Sequence, residues 1–406
     1  MSHNGSSVSH ERLDVMRHSA AHVLAKAVQH LYPGSKLGIG PVIENGFYYD
    51  IDIPSKLGED DLPRIEEQMR QIVAARQPFK REEWSKQQAL EHYLSDDDNP
   101  YAYLRLGRQE LIYGAQRYIS PDDWRNVRRS FDGAKASLSI PNDTIDLFWV
   151  RPVVIERDQF DNDDPGTSFA GAYNALALPE ILRGAGTKVE TYLLALNQTR
   201  HSSAGADADT YTVGARFVTR PKPFDLDIEG NYQFGEYESA SISAWSLASE
   251  AGVTFESIML EPRASVGLDA ASGATDPDGR FNQLFPPTYN YLGHLYLFGR
   301  PNLIDAHVGL DFHITKDLAL YTTEHVFWRQ NTNDGLYNLS GGLVRGDNGS
   351  DASYVGNEFD IVANWQINRH TSAYIGWAHF FAGDFLADTG PSQDADFVYA
   401  SVTFTF

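Results

Sequence analysis

The sequence predicts an all-β transmembrane antiparallel β-barrel, with its closure left open, behind a small N-terminal α+β domain. Three observations carry that expectation. From Tyr101 onward, segments of roughly ten residues alternate apolar and polar side chains, which is the length a tilted strand needs to cross a bilayer. Turn-rich acidic loops separate these segments, and the last of them, ADFVYASVTFTF, finishes on Phe406. Residues from about Ser9 to Tyr93 carry helical periodicity instead.

Composition narrows the possibilities. The 406 residues include 22 Phe, 21 Tyr and 7 Trp at a mean hydropathy of -0.38. No run approaches the roughly 20 consecutive apolar residues that a membrane helix requires. Membrane strands escape that test, because lipid-facing and lumen-facing residues alternate and average out. Cysteine is absent, which removes disulfides, Cys-ligated zinc and thiol catalysis; no metal site and no cofactor is expected. The formal net charge of -22 argues against general nucleic-acid affinity. It equally opposes bulk attraction of a polyanionic sugar, so such a ligand needs a local basic track. The opening residues, MSHNGSSVSHERLDVMRHSAAHV, contain no basic patch followed by an apolar core and a cleavage site, so no secretion signal is expected in the chain as written.

In the first expected helix, Val15, Ala21, Val23, Leu24, Ala27 and Leu31 supply apolar faces and Pro33-Gly34 stops it. LGIGPVIENGFYYDIDI reads as a hairpin, and EDDLPRIEEQMRQIVAARQPF as a second amphipathic helix. The acidic breaker Ser95-Asp-Asp-Asp-Asn-Pro100 then separates helical period from period two, dividing the chain into domains 1–95 and 96–406.

The clearest strand runs from Phe224 to Phe234. Phe224, Leu226, Ile228, Gly230, Tyr232 and Phe234 take one face, and Asp225, Asp227, Glu229, Asn231 and Gln233 take the other. Ile304 to Ile314, with Asp305, His307, Asp311 and His313 on its polar face, repeats the pattern, as does Phe359 to Ile367. A soluble β-sandwich would turn apolar residues inward, whereas acidic content on the second face of strand after strand fits a hydrated lumen. Long loops such as DQFDNDDPGTS and VRGDNGSDASYVG alternate with tight connections such as TRPKP and HITKD, another outer-membrane trait. About thirteen or fourteen strand-like segments can be counted, where single-chain bacterial barrels close with an even number.

The segment YLRLGRQELIYGAQRYISPDDWRNVRRSFDGAKASLSI resembles the alginate export family through Gly107-Arg108-Gln109, Trp124-Arg125-Asn126 and Phe131-Asp132-Gly133. Further matches are DGRFNQLFPPTYNYLG at Asp278 to Gly293, FWR at Phe327 to Arg329, and HFFAGDFL before the last strand. The resemblance implies an outer-membrane porin that passes an anionic polysaccharide or small sugar-acid solutes through an arginine-lined pore. Its partners would be outer-membrane lipid and, through the strand ending in Phe406, the barrel-assembly machinery. By strand parity Arg105, Arg216, Arg220 and Arg263 fall on the polar face. Arg108 has the parity of Leu104 and Leu106, so it lines the pore only if Gly107 makes a bulge. In that family the GRQ strand is not the first, so the resemblance also implies lost opening strands, and an incomplete barrel exposes two unpaired edges.

RHSAAHVLAKAVQHLYPGSKLGIGPVIENGFYYDID resembles the editing domain of threonyl-tRNA synthetases, from about Glu11 to Tyr93. His18 and His22 fit its HxxxH element, one helical turn apart on one face. The family completes that site with a basic residue and a Cys- and His-containing motif that this chain lacks. The two histidines are therefore read as remnants, tRNA is not an expected partner, and the whole reads as a chimera. Three function classes remain: the porin, a synthetase-type editing module, and a carbohydrate-modifying enzyme, for which no carboxylate pair stands out.

Overall fold

The computed structural model describes residues 5–37, 42–43, 46–47, 49–53, 58, 61–75, 102–140, 142–179, 185–202, 205–274, 279–289 and 291–405. The chain divides into two units, Met1–Pro100 and Tyr101–Phe406.

In the first unit, helix α1 (Gly5–Leu31) ends where Gly34 takes a positive φ of 89° beyond Pro33. Two nested antiparallel ladders follow, Val42–Ile43 with Gly46–Phe47 and Lys36–Leu37 with Ile51–Asp52, which is the expected hairpin. Helix α2 (Leu62–Ala74) opens with Pro63 in its first turn, where the missing N–H costs nothing. Ala27, Val28 and Ile65 form its small core, flanked by Leu24, Leu31, Ile51, Ile53, Met69 and Ile72.

The second unit is one antiparallel meander. Its strands are β1 (Ala102–Gln109), β2 (Phe131–Ile140), β3 (Asp143–Val154), β4 (Thr167–Ala177) and β5 (Lys188–Gln198). They continue as β6 (Ala208–Thr219), β7 (Phe224–Tyr237), β8 (Ala240–Thr254), β9 (Arg263–Ala271) and β10 (Leu303–Thr315). The last are β11 (Leu318–Arg329), β12 (Tyr354–Asn368), β13 (Thr371–Ala382) and β14 (Ala395–Phe404). Each pairs with the next in sequence, and the short strand Asn162–Asp163 attaches to β3 as the fifteenth member. Because neighbours are antiparallel, segments 110–130, 155–166, 272–302, 330–353 and 383–394 all leave the same end of the sheet. The last of these carries helix α3 (Asp384–Thr389). Tight turns at 220–223, 316–317 and 369–370 close the opposite end.

The burial pattern is inside out for a water-soluble sheet. Along β7, Phe224, Ile228, Tyr232 and Phe234 are exposed, while Glu229, Asn231 and Gln233 are buried. The same holds elsewhere: Leu106 and Val402 are 70% and 71% exposed, whereas Asp305 and Asp360 are each 1% exposed. Soluble monomers rarely expose contiguous apolar patches beyond a few hundred Å², so this outer face belongs against hydrocarbon. Among the described residues β1 and β14 each pair on one side only, so the sheet does not close. In a bilayer both edges require a partner, because lipid offers none to backbone N–H and C=O groups. Phe406 lies outside the described residues.

Two connections fold inward and fill the concave side. Leu111, Tyr118 and Ile119 from 110–130 and Phe281 from 272–302 pack with Phe131, Phe148, Phe169, Tyr173 and Tyr192 of the strands. Ile119 bridges Phe285, and Ser120 N–H donates to Phe285 O at 3.0 Å. Trp124 reaches around to β13 and β14, with its ring 5.9 Å from Tyr374 and 5.5 Å from Tyr399. The sheet therefore curls far enough for the first connection to touch the last two strands.

Candidate functional site

Strand parity sends a set of charged residues of β2 to β10 inward, and register sets them beside one another. Arg216 on β6 stands between Glu190 on β5 and Glu229 on β7. Its Nη1 donates to Glu190 Oε2 at 2.8 Å, and its Nε and Nη2 donate to Asp227 at 2.9 and 2.5 Å. Arg117, from the inward-folded 110–130 segment, donates to Asp227 at 3.1 Å and to Glu229 at 3.2 Å, with its guanidinium 5.0 Å above the Tyr291 ring. Arg300 donates to Asp269 at 2.7 Å and lies over Tyr118 and Tyr291.

Towards the tight-turn end, Arg263 on β9 donates to Asp225 at 2.6 and 3.0 Å, to Glu250 at 2.6 Å and to Asp311 at 3.5 Å. It reaches Asp225 by lying across Gly252, where any β-carbon would run into the guanidinium. A polar cavity of about 700 Å³ opens here, lined by Arg220, Lys222, Asp225, Asp227, Glu250 and Arg263 among others. Beyond Arg117, Lys135 donates to Asp146 at 2.8 Å, and Tyr113 donates to the same oxygen at 2.9 Å. The result is a ladder of guanidinium and ammonium groups, each held by one to three carboxylates in bidentate or shared contacts, the strong form of charge-assisted hydrogen bond.

The arginines singled out from the sequence occupy different places. Arg216 and Arg263 are on the inner face within the ladder. Arg105 is exposed on edge strand β1, opposite Lys135, with its guanidinium 5.7 Å from the Tyr103 ring. Arg220 lies just past β6, where its N–H donates to Ala185 O at 2.7 Å, and its side chain has no ion-pair partner among the described residues. Arg108 is a correction. The β1–β2 register runs unbroken through Gly107, with no bulge, so Arg108 shares the outward face of Leu104 and Leu106. There it forms a bidentate pair with Asp132 at 2.8 and 2.9 Å and donates to Asp161 O at 3.0 Å. In the N-terminal unit, His18 and His22 are both exposed, with their Nε2 atoms 3.2 Å apart. Sequence reading missed Arg117, Arg300, Asp269 and Tyr291. The first and last of these lie inside quoted motif segments, but nothing periodic marks them as inward-facing.

Those motif segments also meet in space. The Arg329 guanidinium of FWR sits 3.9 Å from the Phe385 ring of GDFL and donates to four carbonyls, those of Thr332, Asp334, Ser350 and Ala352. Trp124 of WRN packs 4.8 Å from Tyr289. Asp122, just before it, accepts from Thr288 N–H at 2.8 Å and from the Thr288 hydroxyl at 2.7 Å. The ordered set thus builds the inner plug. A family model described as "Alginate export" matches residues 79–400.

The chain belongs to the alginate export family.

Other similarities fall on either side of that assignment. This alginate export chain superposes on Pseudomonas aeruginosa OccK11 (OpdR) with a TM-score of 0.49 at 10% identity, covering 75% of this chain and 78% of that one. For P. aeruginosa OpdQ the TM-score is 0.49 at 12% identity, over 74% of this chain and 78% of that one. A stretch of the chain is similar to threonine–tRNA ligases. It is 58% identical over 81 residues to that of Desulfatibacillum aliphaticivorans, covering 20% of this chain and 13% of the ligase. It is 54% identical over 93 residues to that of Rubrobacter xylanophilus, covering 23% and 14%. The chain therefore spans only about a seventh of the length of these curated relatives.

Proposed function

We propose that the chain is an outer-membrane porin that passes sugar-acid solutes or an alginate-like polyuronate along its inner ladder, with Arg216 and Arg263 as the principal contacts. The observation that carries this reading is the forked pairing of inward-facing guanidiniums with carboxylates. A uronate carboxylate has the same geometry as Asp225 or Asp227, so it can exchange with them at the guanidinium fork at little cost in hydrogen bonds. Arg220 at the tight-turn end and Arg105 on the edge strand are the entry contacts, and among the described residues neither is held by a carboxylate. Arg108 anchors the outer rim rather than the pore. Family membership and the apolar outer face support an outer-membrane location.

The N-terminal unit is a synthetase-type passenger in this reading, and His18 and His22 are remnants of its editing motif. Liposome swelling tests the transport assignment. Vesicles carrying the folded chain should admit glucuronate faster than glucose, and Arg216→Gln with Arg263→Gln should erase that preference. Equal entry of the two sugars into wild-type vesicles would overturn it.

A further inference from the structure

Along the ladder the carboxylates are held by arginine or lysine, but one inner-face cluster departs from that pattern. Asp305 and His307 are two residues apart on β10, and His325 stands opposite His307 on β11. Asp305 Oδ2 lies 2.9 Å from His325 Nδ1 and 3.2 Å from His307 Nδ1, and one donor atom from each residue falls within 4.8 Å of the others. Each imidazole turns its second nitrogen to another carboxylate: His325 Nε2 is 3.8 Å from Asp360 Oδ2, and His307 Nε2 is 3.9 Å from Glu250 Oε2. His307 reaches this position by lying across Gly267, where a β-carbon would collide with the ring.

Asp305, Glu358 and Asp360 are each 1% exposed, and both Asp360 oxygens lack a hydrogen-bond partner. Among the described residues, no Arg or Lys ion pair reaches any of the three. A buried carboxylate without a fixed counter-charge costs several kcal/mol.

We propose that Asp305, His307 and His325 hold a divalent transition-metal ion of the Zn2+ class, whichever solute the lumen passes. Two imidazole nitrogens and a carboxylate oxygen are a fitting donor set for such an ion. Bonds of about 2.0–2.1 Å in a tetrahedral centre place donors about 3.3 Å apart, close to the separations of the two imidazoles from Asp305. Asp360 and Glu250 stand where outer carboxylates orient metal-bound imidazoles. The ion's double charge offsets Asp305 and the adjacent Asp360.

Cobalt(II) is the probe, added to the full chain folded in detergent, with folding checked by heat-modifiable gel mobility. Wild type should take up one equivalent with a visible ligand-field band that Zn2+ displaces. His325→Gln and Asp305→Asn should lose the band, while His18→Gln with His22→Gln should keep it. Asp360→Asn retains all three ligands and should weaken binding by roughly 10- to 100-fold. X-ray absorption of the zinc-loaded His18→Gln/His22→Gln protein should show two imidazoles in the first shell, a result that needs no inner-face variant to fold. Absence of a saturable band in folded wild type, or a first shell without imidazole, would overturn the proposal.

Discussion

Arg216 and Asp227, on neighbouring strands β6 and β7, form a side-on pair in which Nε and Nη2 each reach one carboxylate oxygen, at 2.9 and 2.5 Å. Arg216 is 7% exposed, and its remaining Nη1 is committed to Glu190. Removing one partner of such a buried pair leaves an uncompensated charge, at a cost of about 3–5 kcal/mol. Arg216→Ala is expected to destabilise the folded barrel by that amount in guanidinium unfolding followed by tryptophan fluorescence. Arg216→Lys should recover only part of it, because an ammonium cannot span both oxygens.

Arg117 ties the inner segment to the wall. It is the contact through which 110–130 meets Asp227 and Glu229, and Tyr291 of the second inner segment covers it. Arg117→Gln should loosen the plug without altering the outer face. The expected readout is a larger and noisier single-channel conductance than wild type, with heat-modifiable mobility preserved.

The outward face makes a separate prediction. Leu193 on β5 is 61% exposed between inward-facing Tyr192 and Leu194. Arginine on a lipid face costs about 2–4 kcal/mol at the bilayer midplane. Leu193→Arg should lower folding stability in lipid vesicles by up to that amount, and much less in detergent micelles with a mobile boundary. A soluble sheet would show no such dependence on the host.

In the N-terminal unit, Gly58 N–H and the Tyr32 hydroxyl both donate to Asp61, at 3.0 and 2.8 Å, and they hold its carboxyl below the ordinary aspartate range. A depressed folded-state pKa means the carboxylate stabilises this unit above its unfolded value, about 3.9. That contribution is lost as pH falls through the lower folded-state value. Hydrogen exchange over 58–75, corrected for intrinsic rates, should lose protection in this acidic window, and Asp61→Asn should flatten the dependence.

Much of the sheet was legible because its signal is local. Phe224 to Phe234 alternates without interruption, so its faces follow from parity alone, and Arg216 and Arg263 inherited their inward placement in the same way. Parity also exposed the difficulty with Arg108, whose inward placement needed a bulge that the β1–β2 register does not contain. The inner plug was not legible. Arg117, Tyr291 and Arg300 sit in segments without period, and what points them inward is contact between 110–130 and 272–302, far apart in sequence. Of the Asp305, His307 and His325 cluster, only Asp305 and His307 were visible, as polar residues on one strand face. Its convergence depends on the cross-strand register of His307 with His325.

Planar-bilayer recording of the full chain tests the central claim most directly. Discrete conductance steps are expected, which an oligouronate added to one side blocks in a concentration-dependent way, with the block weakened by Arg263→Gln. Folded protein that yields no steps, or steps indifferent to the oligouronate and to Arg263→Gln, would contradict it.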